Sequence, residues 1–258
     1  MAKKIVFAVH KGGAGKTTSA KNIAVALALA GNRTLLVDLD EQANATEGMG
    51  VDPGAVPATV NDLFKHAHLE PASALIATYV DGLHLLAGHE DLASTESGMT
   101  IQRGDPNAPD PVLALRGILA PLESLYDFII IDTPPSLKFM TINALAAADE
   151  LVVPIAASAY NEKGVRSTIT AYERAVENYN PSLRLRGLLI TRLKPTLASR
   201  NVRGIVGERY SHLVLPQLIV ESTAVDEAEQ IHQSVVLYDP NSAAALGYKR
   251  VAEILING

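Results

Sequence analysis

Nine residues, His10-Lys11-Gly12-Gly13-Ala14-Gly15-Lys16-Thr17-Thr18, stand between an apolar run, Ile5-Val6-Phe7-Ala8-Val9, and an alanine-rich helical pattern. Few folds accept that order. A strand that empties into glycines and then a helix start makes a concave row of backbone N–H groups at the positive end of a helix, and that row suits phosphate. Lys16 is placed to reach the β- and γ-phosphates of a triphosphate, and the Thr17 hydroxyl to sit on a magnesium ion. The stretch departs from the general pattern Gly-x-x-x-x-Gly-Lys-Ser/Thr at its first position, His10, and a dinucleotide-type Gly-x-Gly-x-x-Gly from Gly13 fails at Thr18. What remains is Lys-Gly-Gly-x-Gly-Lys-Thr-Thr, with Lys11 five residues ahead of Lys16.

The flanking sequence extends the reading. Ser19 to Ala30 is rich in strong helix formers and stops at Gly31-Asn32; Thr34-Leu35-Leu36-Val37 then reads as a buried strand ending in Asp38-Leu39-Asp40. Strand, helix and strand in so short a span predict a βαβ unit and a parallel sheet. The spacing of Val60, Leu63 and Phe64 predicts a helix within Pro57 to His68, and Leu83 to Ala87 a strand. Gly98, Gly104, Pro106, Pro109 and Pro111 mark 97–111 as a surface loop. Phe128-Ile129-Ile130-Ile131 is a continuous apolar strand ending on Asp132, and parallel strands turn their carboxyl ends to the ligand crevice. Asp132 is therefore expected beside the phosphate loop, holding magnesium through a water. Further strands are expected at Leu151–Ile155, Leu188–Thr191 and Leu213–Pro216, and helices at Lys163–Tyr179, Ser199–Tyr210 and Ser242–Asn257.

Composition sets limits on function. The 258 residues suffice for a large core, and nothing in composition divides them, so one domain over 1–258 is expected. Aromatics are 5% and tryptophan is absent, which makes that core aliphatic; with no cysteine there is no disulfide, thiolate metal site or iron–sulfur cluster. A net charge of −6 gives no overall attraction to nucleic acid. No signal sequence and no apolar run of the roughly 18 residues that span a bilayer are visible, so a cytoplasmic protein is expected.

The box from Lys11 to Thr18 resembles the deviant Walker A loop of the ParA/MinD family of ATPases, as do LLVDLDEQANAT (35–46), YDFIIIDTPPS (126–136), VVPIAASAYNEKGV (152–165), LLITR (188–192) and SVVLYDPNSAAALGYKRVAEI (234–254), in the family's order. The resemblance implies a P-loop NTPase-like twisted, mostly parallel sheet with helices on both faces, the cofactors ATP and Mg²⁺, and a face-to-face homodimer formed on ATP binding. The absence of cysteine argues against its relative, the nitrogenase iron protein. Carried over, Lys11, Gly12, Gly13, Ala14, Gly15, Lys16, Thr17 and Thr18 hold the nucleotide; Lys11 is the signature lysine that reaches the partner's phosphates; Asp40 orients the attacking water. Asp38 supports magnesium together with Thr17 and Asp132, while Thr191 and Pro216 fall where the family lines its adenine pocket.

The resemblance also bears on the role. Ten residues precede Lys11, too few for an amino-terminal helix-turn-helix, and the end Lys249 to Gly258 lacks a basic amphipathic extension, so membrane binding is not expected. Arg192, Lys194, Arg200, Arg203 and Arg209, with Lys249 and Arg250, form a late basic cluster in which only Glu208 interrupts 191–210 with an acid. ParA proteins use such residues as a sequence-independent DNA surface. The expectation is a nucleoid-associated partition ATPase that moves plasmid or chromosomal DNA with a ParB-like adaptor. Positioning of a protein cargo and an ATP-dependent metabolic enzyme, such as a dethiobiotin-synthetase-like ligase, are the alternatives.

Overall fold

The computed structural model describes residues 1–102, 110–157 and 162–258, and of Gln102, Ala198 and Arg203 the backbone alone. β1 (Lys3–Phe7) ends where the glycine-rich loop begins, and α1 (Lys16–Leu29) returns the chain to β2 (Thr34–Asp38). After α2 (Asn44–Gly48) and α3 (Val60–Lys65) come β3 (Leu75–Ala77), β4 (Leu83–Leu86), α4 (Leu92–Gln102) and α5 (Ala114–Leu119). Next are β5 (Phe128–Asp132), α6 (Phe139–Ala147), β6 (Glu150–Ala156), α7 (Glu162–Asn178) and β7 (Arg184–Thr191). The chain closes with α8 (Leu197–Tyr210), α9 (Thr223–Gln230), α10 (Val235–Tyr238) and α11 (Ala243–Ile256). The strands form one sheet in the order β3-β4-β2-β5-β1-β6-β7, parallel throughout except for the β3–β4 pair.

β2 and β5 are buried at every position, which explains their unbroken apolar runs. Alternate residues serve opposite cores. Val6, Val37, Ile129, Ile131 and Val153 meet Leu115, Leu145 and Val165 of α5, α6 and α7, while Ile5, Phe7, Leu36, Ile130 and Leu189 meet Ile23 and Leu27 of α1 and Val251 of α11. Helices therefore cover both faces. β1 lies between β5 and β6, so the loop that leaves it opens at the middle of the sheet's carboxyl edge, beside the end of β5.

Two expectations are corrected. The stretch 97–102, read as loop, is the second half of α4, and the remainder to 109 lies outside the described residues. Gly98 costs a helix interior about 1 kcal/mol, but buried Leu92, Thr95 and Met99 anchor this one, and Thr95 Oγ1 donates to Asn61 Oδ1 at 2.6 Å. The expected strand Leu213–Pro216 is only an isolated bridge between Val214 and Leu188. The segment does run beside β7, with Leu188 N–H donating to Leu213 O at 2.7 Å and Leu215 N–H to Leu188 O at 3.0 Å. Pro216 then has no N–H with which to continue the ladder.

Candidate nucleotide-binding site

The loop after β1 is shaped by its glycines. Gly13 and Gly15 adopt φ of 71° and 78°, left-handed values at which a side chain is strained. Gly15 is the residue ahead of α1, and no side chain caps that helix, so its first N–H groups face the loop. The loop is braced from behind: the Thr191 hydroxyl at the end of β7 donates to Ala14 O at 2.9 Å, and a Cβ on Gly15 would lie 3.2 Å from that hydroxyl. Lys16, 7% exposed, opens α1, while Gly12 and Gly13 are exposed and Lys11 is half-buried at the mouth.

Register brings the acids together. Asp38 ends β2 directly opposite Asp132 at the end of β5, and Asp132 in turn is opposite Phe7 of β1. Both carboxyls are fully buried. Burial pushes Asp132 up to about 6, against the charge of Lys16, which favours its ionised form. Its two oxygens have no hydrogen-bond partner among the described residues, and such a buried, unengaged carboxylate is costly unless a cation offsets it. Burial, with the charge of Asp132 second, pushes Asp38 up to about 7. Asp38 is engaged elsewhere: Oδ2 accepts from Thr46 N at 2.9 Å and Thr46 Oγ1 at 2.8 Å, and Oδ1 accepts from Asp40 N at 3.1 Å.

Of the side chains expected at a metal, Thr17 and Asp132 thus present oxygens to the loop, whereas Asp38 is turned to the Asp40 turn. No group of three or more His, Cys, Asp or Glu among the described residues forms a cage for an ion. That donor set fits magnesium, which takes one or two protein oxygens and completes its octahedron with phosphates and water.

Beside the loop lies a cavity of about 140 Å³ lined by Gly13, Gly15, Thr18, Thr191, Arg192, Ile219 to Ser222, Val225, Asp226, Glu229 and Tyr248. Thr191 is in place there; Pro216 is exposed and lies outside the lining, because the chain reaches the cavity only at Ile219, whose N–H donates to Ile190 O at 2.9 Å. Sequence spacing carried no signal for the α9 residues. Thr18 Oγ1 donates to Glu229 Oε1 at 2.9 Å across 211 positions.

The basic cluster is partly answered by acids that are distant in sequence. Glu221 lies 3.3 Å from Arg192 and 2.7 Å from Lys194, and Arg209 pairs with Glu162. Lys249 Nζ donates to Pro240 O at 3.0 Å; Arg200 and Arg250 are exposed, and the Arg203 side chain lies outside the described residues. No helix among the described residues is long and apolar enough to cross a membrane.

A glycine-rich strand-to-helix loop that carries two lysines, with a helix-borne threonine and a buried carboxylate at the next strand end, is the site of a P-loop nucleotide hydrolase. Comparison with known proteins agrees. An AAA domain model matches residues 2–185. The chromosome-partitioning ATPase Soj of Thermus thermophilus is 36% identical over 253 residues, covering 97% of this chain and 94% of that protein. The sporulation initiation inhibitor protein Soj of Bacillus subtilis is 33% identical over the full length of both. Among solved structures, a cobyrinic acid a,c-diamide synthase from Mycobacterium smegmatis with bound ATP analogue and magnesium superimposes with a TM-score of 0.84 at 32% identity, covering 99% of this chain and 95% of its own. The chain belongs to the ParA/MinD family of deviant Walker A ATPases, alongside the Soj proteins.

Proposed function

We propose that this protein is a ParA-type partition ATPase: Mg-ATP joins two copies face to face, the dimer coats DNA without regard to sequence, and a ParB-like adaptor stimulates hydrolysis and releases it. ATP and magnesium are the cofactors. The observation that carries the reading is Asp132, buried with both oxygens unengaged beside Lys16 and Thr17. Magnesium, when bound, supplies positive charge at the β- and γ-phosphate oxygens. Lys16 and the N–H groups from Gly12 to Thr18 would hold the phosphates, and Thr17 and Asp132 would hold the metal. Asp40, 4% exposed, orients the attacking water. Lys11 of each copy adds charge at its twin's phosphates, where the transition state spreads negative charge.

Arg192, Lys194, Arg200, Arg203, Arg209, Lys249 and Arg250 supply the DNA surface, and nucleoid association follows from it. Contacts of this type weaken steeply with salt. The test measures random-sequence DNA binding and ATPase rate with ATP, ADP and a non-hydrolysable analogue, alongside mass in solution. ATP-dependent dimers and salt-sensitive DNA binding are expected; lone subunits with the analogue, or DNA binding indifferent to nucleotide and salt, refute the reading. A second reading, an ATP-dependent synthase, draws on the likeness to the M. smegmatis structure. It requires substantial turnover with a small substrate and no DNA or adaptor, which the same assay detects.

A further inference from the structure

We propose that Thr46 is the positioning residue for Asp40, acting through the Asp38 carboxylate. The inference rests on the reading of Asp40 as the residue that orients water, and it gives Asp38 and Thr46 a task that is not metal binding. Thr46 is fully buried in α2, a single turn of helix. Its N–H and its hydroxyl both donate to Asp38 Oδ2, at 2.9 and 2.8 Å. A hydroxyl has one proton, and this one is committed to Asp38, so its oxygen is left to accept; the Gly88 N–H donates to it at 2.9 Å. Gly88 lies just beyond β4, the strand next to β2, so the hydroxyl ties the neighbouring strand end to the carboxylate.

Asp38 passes the constraint on. With Oδ2 clamped by two donors, the carboxylate plane is set, and Oδ1 accepts the Asp40 N–H at 3.1 Å. Asp40 Oδ1 in turn accepts the Gln42 N–H at 3.1 Å, which orients its side chain. Gly88 presses on the same turn: a Cβ there would stand 2.9 Å from Asp38 Cγ and 3.0 Å from Asp40 O. The turn that bears Asp40 is thus fixed by a chain of four groups, Gly88, Thr46, Asp38 and Asp40, drawn from three separate segments. Preorganised placement of a water-orienting group is needed in the transition state more than in the ground state, so its loss lowers kcat rather than binding.

The experiment compares Thr46→Val, Thr46→Ser and Asp40→Ala in the full chain, with Mg-ADP affinity and thermal unfolding as controls. Thr46→Val removes the hydroxyl at nearly constant volume. Expected are Mg-ADP affinity within about twofold of wild type, a fall in kcat of about tenfold or more, which is ~1.4 kcal/mol in the barrier, and recovery in Thr46→Ser. Should Thr46→Val fail to fold, Thr46→Cys keeps the volume with only a weak S–H donor and is expected to show the same split. A normal kcat in the valine or cysteine variant while Asp40→Ala is inactive overturns the positioning role alone. A normal kcat in Asp40→Ala overturns the reading of Asp40 itself. A fall in kcat matched by an equal loss of Mg-ADP affinity, or no recovery with serine, assigns Thr46 to folding and also refutes the proposal.

Discussion

Asp132→Asn tests the electrostatic core of the site. Both Asp132, at about 6, and Asp38, at about 7, ionise later in the folded protein than the ordinary 3.8 of the open chain. Between about pH 4 and pH 7 the folded state therefore holds more protons than the unfolded one, and without metal or nucleotide this pair makes stability fall as pH rises through that window. For Asp132 the rise from 3.8 to about 6 is roughly two units, or ~3 kcal/mol at ~1.4 kcal/mol per unit. The asparagine amide is itself buried without a partner and costs about 1–2 kcal/mol. The net gain for Asp132→Asn in EDTA at pH 8 is then ~1–2 kcal/mol, or about 2–8 °C in Tm for a chain of this size. Calorimetry from pH 5 to pH 8 is the assay. The gap over wild type should open as pH rises and close or reverse by pH 5, where the wild-type carboxyl is protonated. Mg-ADP should raise the Tm of wild type far more than that of the variant. A variant less stable than wild type at pH 8 in EDTA, or a gap that ignores pH, refutes the account of Asp132 as a buried charge awaiting a cation.

Thr191→Val deletes the hydroxyl that donates to Ala14 O behind the loop. At ~1 kcal/mol for one neutral hydrogen bond, nucleotide affinity should weaken by about fivefold in a titration with a fluorescent ATP analogue, and unchanged affinity would show that the loop holds its shape unaided. Glu221→Gln frees Arg192 and Lys194 from their shared acid. Tighter DNA binding at low salt is expected, with a salt slope steeper by about one to two charges; an unchanged slope would remove both cations from the DNA surface.

The parts of the site that could be read from the chain are those in which neighbouring residues do the work. Gly13, Gly15, Lys16 and Thr17 are consecutive or nearly so, and their chemistry follows from the local turn into α1. Asp132 was legible because an unbroken apolar run ends on it. The helix at 97–102 was not, since Gly98 argues locally against what Leu92 and Met99 secure by burial at a distance. The path of 213–219 was hidden for the complementary reason: a strand-like composition cannot reveal that the ladder along β7 is interrupted and that Ile219, not Pro216, lines the cavity beside the loop. The charge run 191–210 showed its cations but not Glu221 and Glu162, the acids that fold onto it.

By itself the sequence determined a phosphate loop between a strand and a helix, an aliphatic parallel sheet and the acids at its strand ends, because periodicity and turn chemistry are short-range. The tertiary structure alone decided which of those acids is hydrogen-bonded and which keeps both oxygens without a partner. Strand order puts Asp38 opposite Asp132, and the hydroxyl of Thr46, eight residues on from Asp38 and bonded to Gly88 across the next strand, turns one carboxylate away and leaves the other bare. The physical reason is desolvation: two carboxyls buried side by side must find different partners, and only packing determines which donors reach each.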